Sequence, residues 1–149
     1  MRLAIYDLLG ALFATSDLPA ISSHSDKVFV RVCRIIKDRF ADPDFGPAEV
    51  AAEAGISLRY LQKLFTMRSA ACGHFIYAVR LDHAARLIKQ RALTKTEQPL
   101  SVIAYASGFR DYTHFARAFR QRFGHPPGAI ADRMWTPRGV RAYAEDSAR

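Results

Sequence analysis

The chain has 149 residues, half of them hydrophobic. That is enough for one compact domain or two small helical subdomains, and it excludes a wholly disordered chain. The net charge of +8 favours a polyanionic partner, and it is unevenly placed. Residues 56–141 hold 15 Lys/Arg against 4 Asp/Glu, whereas residues 1–55 hold 6 against 8, so a phosphate-binding surface is expected in the C-terminal two thirds.

The opening stretch, MRLAIYDLLGALFA, sets Leu3, Tyr6, Leu9, Leu12 and Phe13 at near-helical spacing and predicts a short amphipathic helix. Asp7 interrupts its apolar run, which is too short to span a bilayer, and no other stretch is a membrane candidate. A cytoplasmic location without membrane contact is therefore expected. Residues 15–25 are rich in Ser, Asp and Pro and read as a linker, giving an N-terminal segment of helix and linker over 1–25. The next helix is expected from Asp26, as its cap, to about Phe40, burying Val28, Val32, Ile35, Ile36 and Phe40. Residues 41–46 break it, and Pro47 suits the first turn of another.

From Pro47 the chain repeats itself. Val50, Ala51, Gly55 and Ile56 recur as Ile103, Ala104, Gly108 and Phe109 at an offset of 53, and Leu61 and Phe65 recur as Phe115 and Phe119 at 54. Two copies of helix, glycine turn and second helix fit this pattern, over about 47–66 and 100–122. Glycine tolerates the positive φ of a tight turn between helices at roughly 90–120°. Ala51 and Ala104 let the paired helices cross closely, and Ser57 and Asp111 are candidate N-caps. Between the copies a linker helix is expected over about 74–91, with Phe75, Val79, Ala84, Leu87 and Ile88 on its apolar face. At ~1.5 Å per residue it would span ~27 Å, against ~34 Å between successive major-groove faces.

In the first copy Leu58, Leu61, Leu64 and Phe65 are expected to face inward. Arg59, Gln62, Lys63 and Thr66 then share an outer face, with Tyr60 beside them. In the second copy Phe115, Ala118, Phe119 and Phe123 face inward, leaving Thr113, Ala116, Arg117 and Arg120 outside and Tyr112 near the N-terminal end. Arg can donate two hydrogen bonds to guanine O6 and N7, and Gln can pair with adenine N6 and N7. Lys63 and Arg120 suit bases or phosphates equally. The pattern thus reads as an all-α chain of two helix-turn-helix subdomains joined by a long linker helix, preceded by a short amphipathic helix and followed by a flexible tail over 135–149.

No catalytic or metal-binding motif stands out. His24, His74, His83, His114 and His125 have no metal-ligand spacing, and no nucleophile motif or phosphate-cradling glycine loop occurs. His114 precedes an inward phenylalanine and is expected to pack or to bond a backbone group. Cys33 and Cys72 are expected as buried, unpaired thiols. No enzyme activity, cofactor or metal is expected.

The stretches IAYASGF at Ile103–Phe109 and YTHFARAFRQRFGHPP at Tyr112–Pro127 resemble the DNA-binding domain of AraC/XylS-type transcription regulators. The resemblance covers roughly residues 26–134. It implies seven helices, the third and sixth inserted in consecutive major grooves of double-stranded DNA. It carries base-reading roles to Arg59, Gln62 and Lys63, and to Tyr112, Thr113 and Arg117. Leu58 and Ala116 stand where the family approaches bases, and each could offer only a thymine-methyl contact. Three departures accompany it. Residues 66–73 form a shortened turn without the usual glycine. The last helix, over 127–133, lacks the usual aromatic. The chain also has no room for an effector domain, so a truncated regulator or a fragment of one is expected. Transcription regulation, activation included, is the implied function. RNA polymerase, and a second copy joined through residues 1–14, are further candidate partners. The alternative is an interaction protein that pairs with a full-length regulator and titrates it.

Overall fold

The computed structural model of the protein describes residues 24–129. Their regular structure is entirely helical: α1 (His24–Arg39), α2 (Pro47–Ala54), α3 (Leu58–Thr66), α4 (Cys72–Thr94), α5 (Leu100–Ala106) and α6 (Tyr112–Phe123). A further helical turn opens at 127–129. The expected amphipathic helix over residues 1–14, nearly all of the linker after it, the rest of the last helix and the tail over 135–149 lie outside the described residues.

Two compact units divide the described chain, one of residues 24–38 and 46–75, the other of 39–45 and 76–129. α4 begins in the first unit and continues through the second.

The first unit packs three amphipathic helices around one core. Val32 and Ile36 of α1, Val50 of α2, and Leu61 and Leu64 of α3 are fully buried, with Phe29 edge-on to Phe65 at 5.1 Å between ring centroids. Ala51 and Ala54 are buried where α2 meets α3, as expected of small residues at a close crossing. The Arg68 guanidinium lies 4.0 Å above the Phe29 ring and donates to the Asp26 carboxylate. α1 already includes His24 and Ser25, so Asp26 sits in its first turn rather than at the N-cap expected of it, and a carboxylate there favours the positive end of the helix dipole.

The second unit gathers Leu81, Ala84 and Ile88 of α4, Ile103 and Ala104 of α5, Phe109, and Phe115 and Phe119 of α6 into one buried cluster. Arg122 of α6 grips Asp82 of α4 through two guanidinium nitrogens at 2.9–3.0 Å. The turn over 39–45 is fastened to α4 by Arg80, only 6% exposed. Its Nε donates to the Phe40 carbonyl at 2.8 Å, and its Nη2 donates to those of Asp42 and Phe45 at 2.8 and 3.0 Å. Phe40 also packs on His83 at 4.9 Å.

α4 is longer than the expected 74–91. Its 23 residues accept Gly73 near the start and continue to Thr94, where Lys95 turns left-handed at φ 53°.

Candidate nucleic-acid interface

Local chemistry sets the ends of the helices that form the candidate interface. Pro47 occupies the first turn of α2, and the Glu49 carboxylate accepts from the Gly46 N–H at 2.9 Å. α2 ends in a left-handed Gly55 at φ 70°, with the Ile56 N–H reaching back to the Ala51 carbonyl at 3.0 Å. α5 ends at Ala106 and reaches its left-handed glycine one residue later, after Ser107. Gly108 has φ 92°, and the Phe109 N–H bonds the Ala104 carbonyl at 3.0 Å. In both copies this bond from the residue after the glycine satisfies a carbonyl that a helix end otherwise leaves open.

The helices that follow are capped as the sequence suggests. Ser57 Oγ accepts from the Tyr60 N–H at 3.1 Å, and Asp111 Oδ1 accepts from the Thr113 N–H at 2.8 Å. The turn after α3 forms a similar closure without glycine. Ser69 adopts φ 54°, and the Ala70 N–H bonds the Phe65 carbonyl at 3.0 Å.

On α3, Leu61, Leu64 and Phe65 are buried, while Arg59, Gln62, Lys63 and Thr66 are exposed and Tyr60 is half-buried. The Thr66 hydroxyl donates to the Gln62 backbone carbonyl at 2.8 Å. Leu58 departs from expectation: it is 41% exposed rather than part of the inward row. Periodicity alone assigns it inward, but it lies in the first turn, beyond the packed layer.

On α6, Phe115 and Phe119 are fully buried, and Thr113, Arg117 and Arg120 are exposed. Tyr112 is half-buried, its ring 5.8 Å from that of Phe115, so it divides between core and surface. Ala116 and Ala118 are half-buried. Neither α3 nor α6 contains an acidic residue, so each outer face carries a positive field with nothing on its own helix to cancel it. Arg59, Gln62 and Lys63 are thus brought together on one helix of the first unit, and Thr113, Arg117 and Arg120 on one helix of the second.

Two features were not legible in the sequence. Arg122 belongs to α6 but is committed to Asp82, which separates it from the outward arginines. His114 packs as expected, but as an exposed ring edge-on to Tyr77 at 5.5 Å and 88°. Burial pushes the thiols of Cys33 and Cys72 up to about 12, as inert core groups. Among the described residues no group of three or more His, Cys, Asp or Glu could hold a metal ion, and no helix is long and apolar enough to cross a membrane.

Comparison with known proteins places this geometry. The helix-turn-helix domain family matches residues 50–133. The transcriptional activator NphR of Rhodococcus sp is 36% identical over 121 residues, covering 81% of this chain and 34% of NphR. The HTH-type transcriptional regulator GlxA of Rhizobium meliloti (strain 1021) is 38% identical over 85 residues, covering 56% of this chain and 25% of GlxA. The chain thus spans about a third or less of the length of these curated relatives. Among solved structures, the C-terminal domain of AraT, a response regulator from Geobacillus stearothermophilus, matches the fold with a TM-score of 0.65. It is 23% identical, and the match covers 74% of this chain and 88% of that one. With its two glycine-turned helix pairs, the chain belongs to the AraC/XylS-type helix-turn-helix family of DNA-binding transcription regulators.

Proposed function

We propose that the chain binds double-stranded DNA in a sequence-specific manner and regulates transcription, with α3 and α6 each reading the major groove. One observation carries this reading. Each unit presents, from the second helix of a glycine-turned pair, an exposed face of donors without a carboxylate: Arg59, Gln62 and Lys63 in the first, Thr113, Arg117 and Arg120 in the second. Arg59 and Arg117 suit guanine, Gln62 suits adenine, and Lys63 and Arg120 suit bases or phosphates. The half-buried Tyr60 and Tyr112 flank those donors, each presenting a partly apolar ring. Regulation of transcription is carried over from the two relatives, one named an activator and the other a regulator.

Binding to duplex DNA across a range of salt concentrations tests the proposal. The affinity should fall steeply and linearly on a logarithmic plot, by ~0.9 per neutralised phosphate. Affinity that does not respond to salt would count against a phosphate-tracking interface.

A further inference from the structure

The second helix pair carries one residue more than the first between its glycine and the cap that follows. Ile56 alone separates Gly55 from Ser57, whereas Phe109 and Arg110 separate Gly108 from Asp111. Phe109 matches Ile56 in the repeat and is buried, so the additional residue is the exposed Arg110. Closing the turn does not require it.

Arg110 pairs with Asp44, and the fold fixes the place of Asp44. The turn over 39–45 is held to α4 by the three bonds of Arg80. Within that turn the Asp44 N–H donates to the Asp42 carboxylate at 2.9 Å. Gly108 packs so close to the Phe40 carbonyl that the acidic turn and the glycine turn meet. A carboxylate is thereby set beside the guanidinium that leads into α6, the two side chains being 76% and 67% exposed.

An ion pair this exposed is weak, and opening it shifts an equilibrium by at most about fivefold. The guanidinium offers phosphate oxygens the same charge-assisted bonds that it offers a carboxylate. Contact with duplex DNA also releases condensed counterions, which no exchange with a side chain supplies. At low salt the polyanion therefore wins the competition for this side chain.

We propose that Arg110 is a phosphate-binding residue of the second unit, held by Asp44 in the free protein and transferred to a backbone phosphate when duplex DNA binds. This role rests on the DNA contact proposed for α6. A phosphate contact beside a reading helix fixes its register and carries no sequence information. Asp44 acts only through Arg110, by competing with the phosphate for it.

Binding to mixed-sequence duplex DNA at several salt concentrations tests the exchange, with the wild type, Asp44→Asn, Arg110→Gln and the double variant. Arg110→Gln should lower the salt slope by about 0.9, the value of one phosphate. Asp44→Asn should raise affinity about two- to fivefold at the wild-type slope, because no ion pair has to open first. In the double variant that gain should vanish. An unchanged slope in Arg110→Gln, or no gain from Asp44→Asn, overturns the inference. So does an equal gain with and without Arg110, which would mark plain repulsion between Asp44 and DNA. A wild type that binds no duplex, or binds it without response to salt, overturns the DNA-binding proposal and this one together. Salt-dependent binding that Arg110→Gln leaves unaltered overturns this one alone.

Discussion

A β-carbon placed on Gly108 would collide with the Phe40 carbonyl oxygen and stand 2.7 Å from Nε of Arg80, the atom that bonds that carbonyl. The turn of the second helix pair is thus closed against a buried guanidinium. Gly108 is required twice, by its φ of 92° and by the space it leaves. Gly55, at the matching place in the first unit, has φ 70° and open space around it. Gly55→Ala should cost about 1–2 kcal/mol, the left-handed penalty alone. Gly108→Ala should cost about 3 kcal/mol or more, because it also disturbs charge-assisted bonds of Arg80. Urea unfolding of the two variants checks this, and equal losses would deny the Arg80 contact its role.

Ser69 invites the opposite substitution. It holds φ 54° in a closure that glycine usually makes. Ser69→Gly should therefore stabilise the protein by about 1 kcal/mol. The shift appears in the denaturation midpoint at an unchanged slope, and a lower midpoint would contradict it.

The arginines of α6 should separate by function. Arg122 is bonded to Asp82, whereas Arg120 is exposed on the outer side. Arg122→Ala should lower stability and leave the salt dependence of DNA binding as it was. Arg120→Ala should leave stability within about 0.5 kcal/mol and reduce the salt slope by about 0.9 if it holds one phosphate. Thermal unfolding and binding at several salt concentrations, measured on both variants, would expose a reversed assignment.

His83 links stability to pH. Burial first, and then the charge of Arg86, lower its pKa from the ordinary 6.5. The unfolded chain therefore takes up the proton more readily than the folded one, and stability falls as pH drops below the unfolded value. Between pH 7 and 5 the wild type should lose more stability than His83→Gln. Parallel stability profiles for the two proteins would contradict this.

What the sequence reveals here is local chemistry. Pro47, Gly55, Ser57, Gly108 and Asp111 each do in the structure what their residue type and position suggest, because a cap or a left-handed turn depends on a few neighbouring atoms. The polar faces of α3 and α6 were legible for the same reason, since 3.6-residue periodicity sorts each helix into two sides. Leu58 was misread because periodicity cannot tell whether the packed layer reaches the first turn. Asp26–Arg68, Arg80–Phe40 and Asp82–Arg122 join residues 40 or 42 positions apart, and no local pattern announces such pairs. The extra length of α4 depends on Lys95 accepting a left-handed conformation that its residue type does not advertise.

Selection of bound duplexes from random DNA by the wild type, Arg59→Ala and Arg117→Ala tests the central claim most directly. The account predicts an enriched sequence with two separated blocks, and each substitution should relax preference within a different block at a cost of about 1–3 kcal/mol. No enriched sequence, or the same sequence recovered with equal affinity by all three proteins, would contradict it.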